Sequence, residues 1–409
     1  MADAWRVRGA AAGPEVWLAL TNRTPAGFIS HKKLKIKKEC PVKGCHYHVR
    51  PAKHGEAIAR VCPSSQQPVP AAAPTVQARC SDDVHAIGAA GVKLLFGIHS
   101  GPASIDRRDG IRATWLQWSR TTPVLACFLL GRRGLGVELT ASIEAEAARH
   151  ADVLWLTFNA TEGARPRLTI AKAAAWWWAA LPLLAPSVTH VARSDDDSFV
   201  VLPSLLADLS RLGCVEHLCY GPMAYVGYNP ETFAKCGWNW SGDGNYYKYR
   251  CEISGAQPPF PFPFGALQVL SVPVVRHLAH SRELERFVQR SEEVTAEILG
   301  AQQAGAAGDV SKSARSFDQA EDTALGFWLS RAQLQRQLNL TYLDITARAP
   351  NLACYRKRGL YQMPSSEQVA LHYIKKPAGM RLLWRLLHDG VTFDANECHR
   401  ITSKWGIFI

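Results

Sequence analysis

From Val92 to the acidic run Asp195-Asp196-Asp197, apolar segments of strand length alternate with longer helix-periodic segments, and no other feature narrows the fold as much. Val92–His99, Pro123–Leu130, Val153–Phe158 and Val188–Ala192 are short apolar runs suited to buried strands. Between them Ile111–Ser119, Val137–His150 and Leu168–Leu184 read as helices, the last carrying Trp176, Trp177 and Trp178. Strands alternating with helices predict a mostly parallel, Rossmann-like sheet flanked by helices, an α/β fold. Ligands of such sheets bind beyond the carboxyl ends of the strands, and Val188–Ala192 runs straight into the three aspartates. The second half is less regular. Val201–Leu212, Val274–Gln289, Leu325–Leu338 and Pro377–His388 predict helices, and Cys236–Phe264 an aromatic loop region. No repeat of fixed period is visible.

With 409 residues, 47% of them hydrophobic and 20% charged, the chain has material for a sizeable core and is not of disordered composition. Its net charge of +12 is uneven: residues 1–80 hold 13 Lys or Arg against 4 Asp or Glu. The body is therefore nearly balanced, and nucleic acid is not an expected partner of it. The organisation predicted is a basic Cys/His-containing extension (1–62), a Pro/Ala-rich linker (63–90), an α/β body (91–390) and a tail (391–409). Pro63–Pro74, PSSQQPVPAAAP, is the core of that linker, and Ala301–Ser316 is expected to be a loop within the body. The basic head, with Lys32, Lys33, Lys35, Lys37 and Lys38, suits either a solvated extension or contact with acidic lipid or nucleic acid. Cys40, Cys45, His46, His48 and Cys62 are potential zinc ligands, at a spacing that fits no standard finger.

The best apolar stretch, Ala173–Pro186, is interrupted by Pro182 and falls short of the roughly 20 residues of a membrane span. The chain's start lacks the apolar core of a signal peptide, so no transmembrane anchor is visible and membrane association is expected only through the basic head or a missing anchor. Eleven cysteines, an odd number, and the sequons at Asn159, Asn239 and Asn339 lean towards a lumenal protein with disulfides.

The chemistry concentrates in Arg193-Ser-Asp-Asp-Asp-Ser-Phe-Val200. Asp195 and Asp197 alternate along an extended backbone and point to one side. Such hard oxygen ligands suit Mg²⁺ or Mn²⁺, which neutralises a departing diphosphate. An Asp-x-Asp pair alone also suits a solvated turn. Glu321-Asp322, opening a helix-like run, offers a general base or, equally, an ordinary helix N-terminus.

Taken together these residues resemble the β-1,3-galactosyltransferase and β-1,3-N-acetylglucosaminyltransferase family, glycosyltransferase family 31. Ile98-His-Ser100 with Arg107-Arg-Asp-Gly-Ile111-Arg112-Ala-Thr114-Trp115 is similar to its "RRxxIRxTW" block, and Phe128–Gly131 to its "FLLG" strand end. Glu146 with Asp152-Val-Leu154, Leu168-Thr169 with Lys172, Asp195–Val200 and Glu321-Asp322-x-x-x-Gly326 follow in the family's order. The resemblance spans roughly residues 92–375 and implies a GT-A type fold, with inverting transfer of galactose or N-acetylglucosamine from a UDP-sugar in β-1,3 linkage. The acceptor it implies is a glycan on a glycoprotein or glycolipid, and the compartment the Golgi lumen or membrane. By the same resemblance Asp195, Asp197 and His372 hold Mn²⁺ (or Mg²⁺). Asp322 takes the acceptor proton, Glu321 orients the acceptor, and Ser100, Arg108, Arg112, Lys172, Asp195 and Asp196 form the nucleotide side.

The family's "YPxYxxGxGYVLS" block departs here to Phe260-Pro-Phe-Pro-Phe264-Gly265-Ala-Leu-Gln268-Val-Leu-Ser271. That departure motivates an alternative, a catalytically inactive carbohydrate- or nucleotide-sugar-binding descendant of the same fold. Trp238, Trp240, Tyr246, Tyr247 and Tyr249, between Cys236 and Cys251, suit either stacking on sugar rings or ordinary packing.

Overall fold

The computed structural model describes residues 4–7, 16–19, 49–51, 80, 91–133, 135–159, 169–229, 234–236, 260–305, 321–350, 355–357, 360–362, 364–365 and 367–392. The zinc-candidate residues Cys40–His48 and Cys62, the linker apart from Cys80, and the aromatic stretch from Trp238 to Cys251 lie outside them.

The body opens with strand β1 (Leu94–His99), helix α1 (Ile105–Arg112), β2 (Val124–Arg133), α2 (Val137–His150), β3 (Val153–Asn159), α3 (Thr169–Ala179) and β4 (His190–Asp195). It continues through β5 (Phe199–Val200), α4 (Leu202–Arg211), β6 (Leu218–Gly221), β7 (Met223–Asn229), β8 (Phe260–Pro263), β9 (Gln268–Ser271), α5 (Val272–Ala279) and α6 (Arg282–Gln303). It closes with α7 (Glu321–Leu334), β10 (Thr341–Asp344), β11 (Ala370–Leu371) and α8 (Pro377–Leu387). One eight-stranded sheet organises the body, in the order Val49–Pro51, β10, β6, β9, β4, β1, β2, β3. All its pairings are parallel except those of β9, which runs antiparallel to both β4 and β6. This is the mostly parallel, helix-flanked architecture predicted.

Alternation along β1 sends Leu95 to one face of the sheet and Leu94, Phe96 and Ile98 to the other. The first face is covered by α3, α5, α6 and α7, the second by α1, α4 and α8. Gly97 lets α3 lie directly on the sheet: a Cβ there would stand 2.7 Å from both Leu129 Cδ1 and Trp176 Cε2. Trp176 is fully buried in that contact and donates Nε1–H to the Ala192 carbonyl at 3.2 Å. Burial of this kind contributes about 3–5 kcal/mol relative to alanine.

Four elements differ from expectation. Helix α1 starts at Ile105 and stops at Arg112, followed by a 3-10 segment, Trp115–Thr121, where one helix over Ile111–Ser119 was predicted. Thr114 donates its hydroxyl back to the Gly110 carbonyl at 2.7 Å, and the chain turns there. Val274–Gln289 is two helices, because the backbone breaks at His280-Ser281 and Ser281 Oγ accepts the Leu284 N–H at 3.1 Å to start α6. Pro182 shortens the predicted Leu168–Leu184 helix to Thr169–Ala179 plus a single 3-10 turn. The loop expected from Ala301 begins inside α6, which runs to Gln303.

Cys80 and Cys127 form a disulfide with Cα atoms 5.8 Å apart, tying the segment before the body to β2. Cys214 is also disulfide-bonded, and Cys219 is a buried free thiol. No helix among the described residues is long and apolar enough to cross a membrane.

Candidate active site

The carboxyl ends of β1 and β4 lie side by side, with His99 opposite Asp195 in the register. Past Asp195 the chain turns, Ser198 N–H donating to the Asp195 carbonyl at 3.1 Å, and β5 pairs antiparallel with β11. That pairing sets Leu371 against Phe199, and Ile374 N–H donates to the Asp197 carbonyl at 2.8 Å. His372 is thereby delivered to the aspartates from 175 residues downstream of Asp197. Its Nε2 lies 3.1 Å from Asp197 Oδ1 and 3.4 Å from Asp195 Oδ2. One ligand atom from each of Asp195, Asp197 and His372 falls within 4.8 Å of the others. The next residue, Tyr373, adopts φ +66° and stacks on His372 with ring centroids 4.1 Å apart.

Glu321 and Asp322 form the first turn of α7, at the positive end of its dipole. Gly326 allows this helix to sit on β8, since a Cβ there would stand 2.4 Å from Phe262 Cβ and 2.9 Å from the Pro261 carbonyl. Arg193, fully buried in β4, reaches both halves of the site. Its guanidinium donates to Asp195 Oδ1 at 3.1 Å, Glu321 Oε1 at 2.8 Å and Asp322 Oδ1 at 3.1 Å. Asp322 Oδ1 also accepts from Gln268 Nε2, and Asp322 Oδ2 from Gly265 N–H, both at 2.9 Å. Glu321 Oε2 is buried with no hydrogen-bond partner among the described residues.

Burial by itself raises the pKa of Asp195, and the hydrogen bond from His372 and the Arg193 charge only partly offset it, leaving it at about 6. Burial would also raise Asp197, but His372, Lys375 and Arg107 overcome that and hold it below the usual carboxylate range. His372 shows the reverse balance: burial would lower it, while hydrogen bonds to Asp195 and Asp197 push it up to about 9. His99 is kept well below its ordinary value by burial and by Arg193 and Lys172, and as a neutral ring its Nδ1 accepts from Arg193 Nε at 3.0 Å.

Five carboxylates (Asp195, Asp196, Asp197, Glu321 and Asp322) thus meet three side chains of fixed positive charge, Arg107, Arg193 and Lys375. With His372 neutral the excess is two negative charges, which a divalent cation cancels. Two carboxylate ligands and one imidazole are a donor set that suits Mn²⁺ and, less closely, Mg²⁺.

The remaining predicted residues divide into two groups. Asp196 accepts from Ser100 Oγ at 2.9 Å and from Arg107 Nη1 at 2.7 Å, which aims its carboxylate at the loop after β1. Lys172, buried on α3, donates to the Ser100 carbonyl. Ser100, Lys172 and Asp196 therefore lie together beside the metal-ligand candidates. Arg108 and Arg112 sit behind this wall. Every N–H of Arg108 is taken, by Glu146, Ser100 Oγ and the carbonyls of Gly101 and Pro102. Arg112 binds Asp109, Glu146 and Asp152 and lies over the Phe128 ring. The structure adds residues to which sequence reasoning gave no role: Arg107, Arg193, Gln268 and Lys375, whose Nζ is 3.4 Å from Asp197 Oδ2. Arg107, Arg193 and Gln268 had a visible signal, their place inside recognisable blocks.

The mostly parallel sheet with a carboxylate and histidine cluster at its strand tips is the arrangement expected of a GT-A type fold. Residues 106–303 match the galactosyltransferase family model. That match spans just under half of the chain, which is similar over this region to β-1,3-galactosyltransferases and β-1,3-N-acetylglucosaminyltransferases. Mouse beta-1,3-galactosyltransferase 6 is 29% identical over 275 residues, covering 64% of this chain and 69% of the relative. Human UDP-GlcNAc:betaGal beta-1,3-N-acetylglucosaminyltransferase 8 is 29% identical over 236 residues, covering 51% of this chain and 54% of the relative. A solved glycosyltransferase involved in glycosylation of the major capsid of PBCV-1 covers 72% of this chain and 99% of its own length, at 8% identity and a TM-score of 0.28. That last likeness is too slight to carry argument.

Proposed function

We propose that the protein transfers galactose or N-acetylglucosamine from a UDP-sugar to a glycan acceptor in β-1,3 linkage, with inversion at the anomeric carbon. The observation that carries this reading is the juxtaposition of two carboxylate sets at one strand tip, Asp195-Asp197-His372 and Glu321-Asp322, bridged by Arg193. Asp195, Asp197 and His372 hold Mn²⁺ or Mg²⁺. When bound, the ion supplies the positive charge on which a diphosphate leaves. Asp196, fixed by Ser100 and Arg107, shapes the nucleotide wall with Lys172 behind it. Arg108 and Arg112 support that wall from behind through Glu146.

On the acceptor side Asp322 takes the proton of the attacking hydroxyl. Its orientation is set by donors to both oxygens, Gln268 and Arg193 to Oδ1 and Gly265 N–H to Oδ2. Glu321 orients the acceptor. The Cys80–Cys127 bridge fits an oxidising compartment and so the Golgi lumen implied by the family.

The test is UDP release measured over a panel of donor sugars and glycan acceptors, with Mn²⁺ and with EDTA. Turnover that needs the metal and falls by roughly 100-fold or more in Asp197→Ala is expected, in the range of lost electrostatic stabilisation. Full activity of that variant removes the metal role, and calorimetric UDP binding without release on any acceptor favours the binding-only descendant.

A further inference from the structure

We infer that Arg193 is a positioning residue that fixes the donor and acceptor halves of the active site in a single geometry. The inference rests on the function proposed above. Arg193 is fully buried near the end of β4, between β1 and β9. It spends all five of its N–H donors on the site: Nε on His99, Nη1 on Gln268 and Asp322, Nη2 on Asp195 and Glu321. Asp322 lies 129 residues away in sequence and on a different element, so nothing local sets its distance from Asp195. Left to Coulomb repulsion in a buried setting, Asp195, Glu321 and Asp322 would move apart. One guanidinium touching all three opposes that movement, and its rigid fork sets the directions from which it does so.

The surroundings hold the fork itself still. Gln268 is Arg193's direct partner in the β4–β9 register and accepts from Nη1 at 3.0 Å. Its own amide then donates to Asp322 Oδ1 and to the Pro263 carbonyl at 2.9 and 2.7 Å, so Gln268 and Arg193 grip the same carboxylate oxygen. Arg193 has no N–H left for substrate, which makes it a residue that acts through others.

The test uses the full chain and reads Mn²⁺ affinity from the free-ion electron paramagnetic resonance signal, together with kcat and KM for donor and acceptor. Arg193→Lys keeps one positive charge but has three donors and no fork. The expected result is a folded protein with Mn²⁺ affinity lowered about 10-fold or more, in the range of lost support for a metal ligand. A fall in kcat of similar size is expected to accompany it, with acceptor KM changed far less. Arg193→Met combined with Glu321→Gln removes one charge of each sign, so it separates lost positioning from an uncompensated buried charge. It should lose at least as much kcat as the lysine variant. Wild-type affinity and kcat in either folded variant overturn the inference, and so does failure of both to fold, which would leave Arg193 a core residue only. If the wild-type protein neither binds Mn²⁺ nor turns over a UDP-sugar, the proposed function falls first and takes this inference with it.

Discussion

Gly265 offers the sharpest test of the site, because alanine there attacks one atom. A Cβ on residue 265 would stand 2.1 Å from Asp195 Oδ2 and 2.8 Å from its Cγ. The same Oδ2 is the oxygen that faces His372 at 3.4 Å. Asp195 has little room to yield, since its N–H is bonded to the Gly265 carbonyl at 2.9 Å and its other oxygen to Arg193 at 3.1 Å. Turning the carboxylate away costs an off-rotamer side chain, about 0.5–1.5 kcal/mol. It also costs a charged hydrogen bond, about 1.5–3 kcal/mol. The sum, about 2–4.5 kcal/mol, predicts Mn²⁺ binding weakened roughly 30- to 1500-fold at 1.4 kcal/mol per decade. Titration calorimetry with Mn²⁺ in the presence of UDP measures it. Gly300→Ala serves as control, since no heavy atom lies within 4 Å of a Cβ at that position in α6. A folded Gly265→Ala protein that binds Mn²⁺ as tightly as wild type would refute the assignment of Asp195 as a ligand.

Asp322→Asn is expected to keep UDP binding and lose transfer by about 100-fold or more, as loss of a general base does; a larger loss in Glu321→Gln would move the base to its neighbour. His372 must shed its proton to bind a cation, and its pKa is raised to about 9 while that of Asp195 is about 6. Mn²⁺ affinity should therefore climb with pH between these values, about tenfold per unit, and level off above; flat affinity from pH 6.5 to 8.5 excludes His372 as a ligand. Replacing both Cys80 and Cys127, 47 residues apart, by alanine should cost roughly 4 kcal/mol of stability in the chain-entropy model, read as a lowered urea midpoint. An unchanged midpoint would show that the bridge constrains nothing.

The elements that sequence reading located best are those whose stability comes from an apolar period. Helix α2 spans Val137–His150 as expected, and β1 to β4 fall within three residues of the predicted limits. Helix α1 failed because IDRRDGIR has no apolar face until Ile111. Its buried side has one apolar residue, Ile111, beside Arg108, neutralised by Glu146, and Gly110, where an added Cβ would lie 3.1 Å from Pro377 Cα. A helix anchored largely by a buried ion pair and a bare backbone contact leaves too short a hydrophobic trace to show a period. The break between α5 and α6 was missed for a related reason: both helices present apolar residues to the same core, so the period carries across the Ser281 cap.

The site was legible only as far as its residues carry chemistry in their type. Asp195, Asp197, Glu321 and Asp322 announce themselves as carboxylates at a strand end and a helix start, but their convergence does not. It depends on β11 pairing with β5, on Gly326 admitting α7 to β8, and on Gly265 leaving space for Asp195. Each of these is a contact between distant segments, and two of the three are made by the absence of a side chain. The same holds for charge. Five carboxylates gathered at one end of a sheet are unstable unless cations meet them, so the cations are as much a condition of the site as the acids are. Arg107, Arg193 and Lys375 fill that condition in part, and once His372 is neutral, as a ligand must be, two negative charges are still unbalanced. That residue of charge, and not the Asp-x-Asp spacing that first drew notice, is the physical reason to expect a divalent ion.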